Sequence, residues 1–414
     1  MVAVMAELAA GSASKWAPYL VCSRVSLSKS SEFAELTARV SFVSQAALPR
    51  DLHVPVCWSG HQRTWLRGTS CAERLKGNAG ELPCGTARAW RDISRPMASE
   101  LGLPVGSDGR HLHTLATALV AAYSFTLGTE HHQGLVPFWD ALNHTHPEMA
   151  SVRLRHNPQR QCLEMILVRD VAAGEQVFNT YGPLGTGELV RRYGFAMDGV
   201  NHYDSAEVHW KEVFSAARRV MGVMRTGHMV THSRALRHLF KPQQLSLGSD
   251  GVPPARLVLV LRMLCAESEA PVRKLIRCIV NGRPPPRLST VDSRAIDART
   301  AAALLELCNI AQIRRQPVAM GDYGIDAVER HRFHLAAVVR QSECRCFEAL
   351  ATRLNCNQST TRVLARDAAA LWRECMLASA RRAVAGCRRQ TLDFSSAGDA
   401  RRLALAGVLQ SKMT

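Results

Sequence analysis

Long apolar runs are missing from this chain, and aromatic residues make up only 6% of it. The best apolar stretch, Leu257 to Cys265, is short and carries Arg262, well below the ~18 uncharged residues a membrane-spanning helix requires. The first ten residues are apolar but include Glu7 and no basic stretch, so no signal peptide is expected. Acidic side chains are the scarcer sign, 35 against 52 Lys and Arg, a formal net charge of +17. Such a balance suits RNA, ribosomal particles or acidic protein surfaces. The pairs Arg381/Arg382, Arg388/Arg389 and Arg401/Arg402 have no aromatic residues between them for bases to stack on. A nucleic-acid partner is therefore allowed but not required, and no membrane is.

Regular cysteine spacing is missing too. Thirteen cysteines in 414 residues read as reduced core thiols of a nuclear or cytoplasmic protein. Cys344-Arg-Cys346 starts like half a zinc site, yet Cys356, Cys375 and Cys387 do not complete a second pair. No metal is expected. Hydrophobic residues at 47% and charged residues at 21% mark a globular chain long enough for two cores.

What is present divides the chain. Residues 1–20 read as a short helical piece ending in Trp16-Ala-Pro18-Tyr19, and 21–46 as a serine-rich insertion. Leu112, Leu115, Ala116, Leu119, Val120 and Tyr123 fall on one helical face and predict a helix over 110–125. Cys162 to Val168 suits a strand, Asp170 to Glu175 a turn with Gly174 at positive φ, and Gln176 to Thr180 a second strand. Thr186 is the expected N-cap of the next helix. From about Ala206 the pattern is helical, with loops near 248–254 and 282–286 and apolar clusters at Ala301–Leu307 and Leu335–Leu350.

Three motifs fall in order between Leu135 and Gly199. Asp140-Ala-Leu-Asn143-His144 comes first, Asn179-Thr180-Tyr181-Gly182 follows, and Arg192-Tyr193-Gly194-Phe195 closes the series. Tyr181 lies 38 positions after Asn143. Each residue has a plain structural reading: Tyr181 as a core tyrosine at a strand end, Asn143-His144 as a polar turn, Phe195 as helix-to-sheet packing. Asp140, His144 and His146 would be metal ligands on a regular helix, but Pro147 argues for irregular backbone there.

Taken together the motifs resemble the catalytic half of a SET-domain protein methyltransferase. The resemblance is to the split-SET branch that includes the Rubisco large-subunit and ribosomal lysine methyltransferases. It implies an α+β fold: a β-rich SET domain with a helical insertion over residues 1–205, then an all-α substrate-binding domain over 206–414. It implies S-adenosyl-L-methionine as cofactor and a protein lysine as methyl acceptor, ribosomal or nuclear. Tyr181 would be the catalytic hydroxyl. Asn143, His144, Tyr123 and Tyr193 would bind the cofactor, and Tyr193, Phe195 and Ser124 the substrate. Trp16 resembles a tryptophan near the substrate groove, and Arg332 to Arg340 a helix of the substrate-binding domain. Members of the branch carry a Gly-x-Gly strand pair ahead of the Trp-x-Pro-Tyr segment. Here about fifteen residues precede that segment, too few for such a pair, so these strands are expected to be missing. Two further readings follow: an inactive remnant that binds protein partners, and a protein-histidine methyltransferase.

Overall fold

The computed structural model describes residues 21–22, 52–76, 89–100, 102–127, 132–135, 139, 141–157, 159–160, 162–222, 245–266, 290–318 and 326–355. Trp16, Asp140 and the loop at 282–286 lie outside the described residues, as do 1–20 and nearly all of 21–46. The fold is α+β, rich in helix with short strands. Among the described residues no helix is long and apolar enough to cross a membrane. The chain packs as two compact units, one of residues 1–205 with 315–343, the other of 206–314 with 344–414.

In the first unit, β1 (Val21–Cys22) pairs antiparallel with β3 (His132–Leu135), which pairs antiparallel with β2 (Ser124–Leu127). Helices α1 (Gly60–Thr64) and α2 (Ser70–Lys76) precede α3 (Arg95–Glu100) and α4 (Ser107–Tyr123). Residues 124 and 125 thus open a strand rather than closing the helix expected over 110–125. Ser124 is extended and its neighbour Phe125 pairs with Gly134. The apolar face of α4 does what its period demands. Ala116 and Leu119 are buried with Leu52, Val54 and Trp90, and Tyr123 packs at the margin of that cluster.

Strands β4 (Val152–Asn157) and β5 (Cys162–Leu167) form an antiparallel ladder in which Arg155 faces Glu164 at 2.6 Å. The turn after β5 has Gly174 at φ 85°, and Glu175 donates its N–H to Ala172 O. The second strand expected at 176–180 does not form as a ladder. That segment makes one parallel bridge, His144 with Asn179, because its partner is the irregular Asn143–Thr145 stretch and not another strand. Helix α5 (Thr186–Tyr193) follows.

The second unit begins within β6 (Ser205–Glu207), which pairs with β7 (Ser246–Gly248), and holds helices α6 (Trp210–Met221), α7 (Ala255–Leu264) and α8 (Thr290–Arg314). Its other described elements are helices, and the ladder's three-residue strands are too short to show a period of two. Every residue of α7 from Arg256 to Leu264 is buried. Its Arg262 is compensated by an ion pair with Asp297, as a buried guanidinium must be. Leu257, Leu261 and Leu264 join Leu304, Leu307, Phe347 and Leu350 in one core. Helix α9 (Ala327–Asn355) gives residues 327–343 to the first unit and 344–355 to the second.

Candidate active site

Two segments distant in sequence run side by side in the first unit. Asn179 donates its N–H to Asn143 O at 2.9 Å, and Thr145 donates back to Asn179 O at 2.8 Å. With both backbones locked, His144 and Tyr181 are brought together. Tyr181 donates its backbone N–H to Nδ1 of His144 at 3.0 Å, and its hydroxyl donates to Leu142 O at 3.0 Å. The imidazole stacks on the Tyr181 ring at 5.0 Å with planes 28° apart.

His144 is only 6% exposed. Burial, and then the charge of His146, lowers its pKa to about 4, so the ring is neutral near pH 7. Because Nδ1 accepts from Tyr181, the proton sits on Nε2. That Nε2 is buried and finds no hydrogen-bond partner among the described residues.

Helix α5 supplies the opposite wall. No side chain of its own N-cap, Gly185, can cap it; instead Asp204 accepts the Thr186 N–H at 2.7 Å. The expected Thr186 cap is therefore replaced by a residue 18 positions later. Gly185 is needed for the approach, since a Cβ there would lie 2.6 Å from Tyr203 O. At the other end Gly194, at φ 76°, gives its N–H to Leu189 O and Val190 O and turns the chain. This reversal sets Tyr193 and Phe195 on either side of it, with ring centroids 4.6 and 6.3 Å from Tyr181. Burial, foremost, raises the Tyr193 pKa, so this phenol stays protonated. Glu188 on the same helix holds Arg74, Arg191 and Arg192.

These side chains enclose a cleft of about 540 Å³ lined by Tyr123, Asn143, His144, Tyr181, Tyr193 and Phe195. The volume suits a small-molecule ligand. Ser124, which the resemblance also brought forward, opens β2 and is not among the lining residues. Sequence reading missed Phe178, Met197 and Asp198, which line the cleft as well. Their adjacency to Asn179 and Phe195 was the available signal. A buried imidazole N–H with no partner, in a cleft of this size, fits a ligand that brings its own acceptor.

No protein-family model matches the chain. It is 30% identical over 180 residues to the N-lysine methyltransferase setd6 of Salmo salar, covering 40% of this chain and 38% of that protein. The counterpart from Danio rerio is 28% identical over 232 residues, 50% of this chain and 46% of the relative. Ribosomal lysine N-methyltransferase 4 of Saccharomyces cerevisiae is 31% identical over 86 residues, 21% and 17% of the two chains. The chain is related in sequence to N-lysine methyltransferases. It spans less than half the length of these relatives. Among solved structures, the SET domain of LSMT bound to lysine and AdoHcy matches 77% of this chain and 71% of that one. Its TM-score is 0.48 at 16% identity.

Proposed function

We propose that this protein is an S-adenosyl-L-methionine-dependent protein-lysine N-methyltransferase, with Tyr181 as its catalytic hydroxyl. One observation carries the reading: residues of three separate motifs, Asn143 and His144, Tyr181, and Tyr193 with Phe195, meet around a single cleft. When bound, the cofactor supplies a sulfonium methyl for displacement by an amine. Asn143, His144, Tyr123 and Tyr193 would hold it, His144 through the Nε2–H that finds no partner among the described residues.

The chain's own contribution is positional, which for a displacement of this kind is where most acceleration arises. Tyr181 donates its hydroxyl proton to Leu142 O, and a phenolic oxygen in that orientation acts as an acceptor for the N–H of an uncharged amine. Tyr193 and Phe195 present ring faces that hold the methylene stem of a lysine and exclude water. His144 braces Tyr181 from below by stacking and by accepting its N–H.

The acceptor is a lysine of a protein substrate, ribosomal or nuclear, and the protein works in the nucleus or cytoplasm. The net charge of +17 supports an acidic or RNA-bearing partner. Residues 1–205 form the SET-type catalytic domain and 206–414 the helical substrate-binding module, with 315–343 packing in the catalytic unit. The test is transfer of labelled methyl to a lysine-bearing substrate, with calorimetry for cofactor binding. Tyr181→Phe lowers turnover by at least about a hundredfold with the far-ultraviolet spectrum unchanged. Equal turnover in that variant removes Tyr181 from the role, and absent cofactor binding points to the non-catalytic remnant.

A further inference from the structure

Away from the cleft, His146, Glu148 and His202 each offer a ligand atom, and the three atoms lie within 4.8 Å of one another. Nε2 of His202 is 3.1 Å from Oε1 of Glu148, and Tyr203 donates its hydroxyl to Oε2 of the same carboxylate at 3.1 Å. The His146 ring sits 4.7 Å from that of His202. Nδ1 of His146 is buried and has no hydrogen-bond partner among the described residues. Hydrogen bonding among the described residues does not account for this group, since one of its polar atoms is left unsatisfied there at a desolvation cost.

We propose that His146, Glu148 and His202 form a binding site for a divalent transition ion of the zinc class. Two imidazoles and one carboxylate are a borderline donor set that such an ion prefers over calcium or magnesium, which take oxygen alone. A tetrahedral ion with bonds of about 2.0 Å needs ligand atoms about 3.3 Å apart, a spacing the His202–Glu148 pair already has. Tyr203 is the outer partner that orients the ligating carboxylate. With three protein ligands the fourth position stays open to water.

The position of the site gives the ion a task. His146 and Glu148 follow directly on Asn143-His144, the segment bonded to Tyr181. His202 and Tyr203 belong to the loop whose Asn201 side chain donates to Leu184 O and whose Asp204 caps α5. A bound ion staples these two segments together, and they are the two that carry opposite walls of the cleft. The proposal rests on the cluster alone and stands whether or not the cleft transfers methyl groups.

The experiment is zinc titration of chelator-treated, tag-free full-length protein by calorimetry and thermal unfolding, with cobalt absorption as a ligand readout. One equivalent binds the wild type and raises its melting temperature. His202→Ala and Glu148→Gln each weaken binding by at least about tenfold while melting like the wild type without metal. The cobalt form shows d–d bands without thiolate charge transfer. Unchanged affinity in both variants, or thiolate bands at one equivalent, overturns the assignment to this cluster. Absence of any stoichiometric binding overturns the site itself.

Discussion

At the scale of single residues, Gly194 shows how one backbone angle builds the site. Its φ of 76° lies where an L side chain costs roughly 1–2 kcal/mol, and a Cβ would fall 2.7 Å from His53 C. Gly194→Ala is therefore expected to destabilise the protein by at least about 2 kcal/mol in urea unfolding. It also shifts Tyr193 relative to Phe195. His144 is the complementary case, a side chain whose environment sets its chemistry. Burial keeps it neutral, and neutrality lets Nδ1 accept the Tyr181 N–H.

At the scale of elements, α5 is held in place by charge. Burial by itself would raise the Glu188 pKa. The hydrogen bond and charge of Arg191, with Arg74 and Arg192 behind them, outweigh it and bring the value down to about 2. A carboxyl depressed in the folded state contributes stability that is complete above its unfolded value of 4.5 and is lost as pH falls toward 2. The window is thus pH 4.5 to 2, and the loss is up to about 3 kcal/mol. Urea unfolding across pH 2–6 checks it: Glu188→Gln should show a shallower acid dependence than the wild type. An unchanged slope would assign the acid sensitivity to other groups.

At the scale of the whole molecule, the first unit is closed by residues that arrive late in the chain. Arg315 and Glu343 make an ion pair at 2.7 Å with side chains 0% and 2% exposed, and Glu343 also accepts the Ser70 N–H. Arg340 donates to Trp65 O, and Arg332 to Gln62 Oε1. Removing one member of a buried pair strands the other charge, so Glu343→Ala is expected to cost about 3–5 kcal/mol. The double replacement Arg315→Met with Glu343→Leu costs much less, because neither charge is then buried. Differential unfolding of the three proteins distinguishes a stranded charge from lost packing.

The sequence alone determined what is local or carried by short motifs. The amphipathic face of α4, the β5 strand and the Gly174 turn could be read from periodicity and turn chemistry, since i, i+3, i+4 patterns and positive-φ glycines act within a few residues, and the three motifs stood out by their resemblance to a known family. Only the tertiary structure decided the rest. The 176–180 segment forms a bridge instead of a ladder because its partner is irregular. The cap of α5 comes from Asp204, and residues 315–343 pack with the first unit, contacts that span 18 to more than 270 positions. Hydrogen bonds and ion pairs over such separations leave no periodic trace in composition, because they depend on where folding brings two backbones and not on what lies next to either residue.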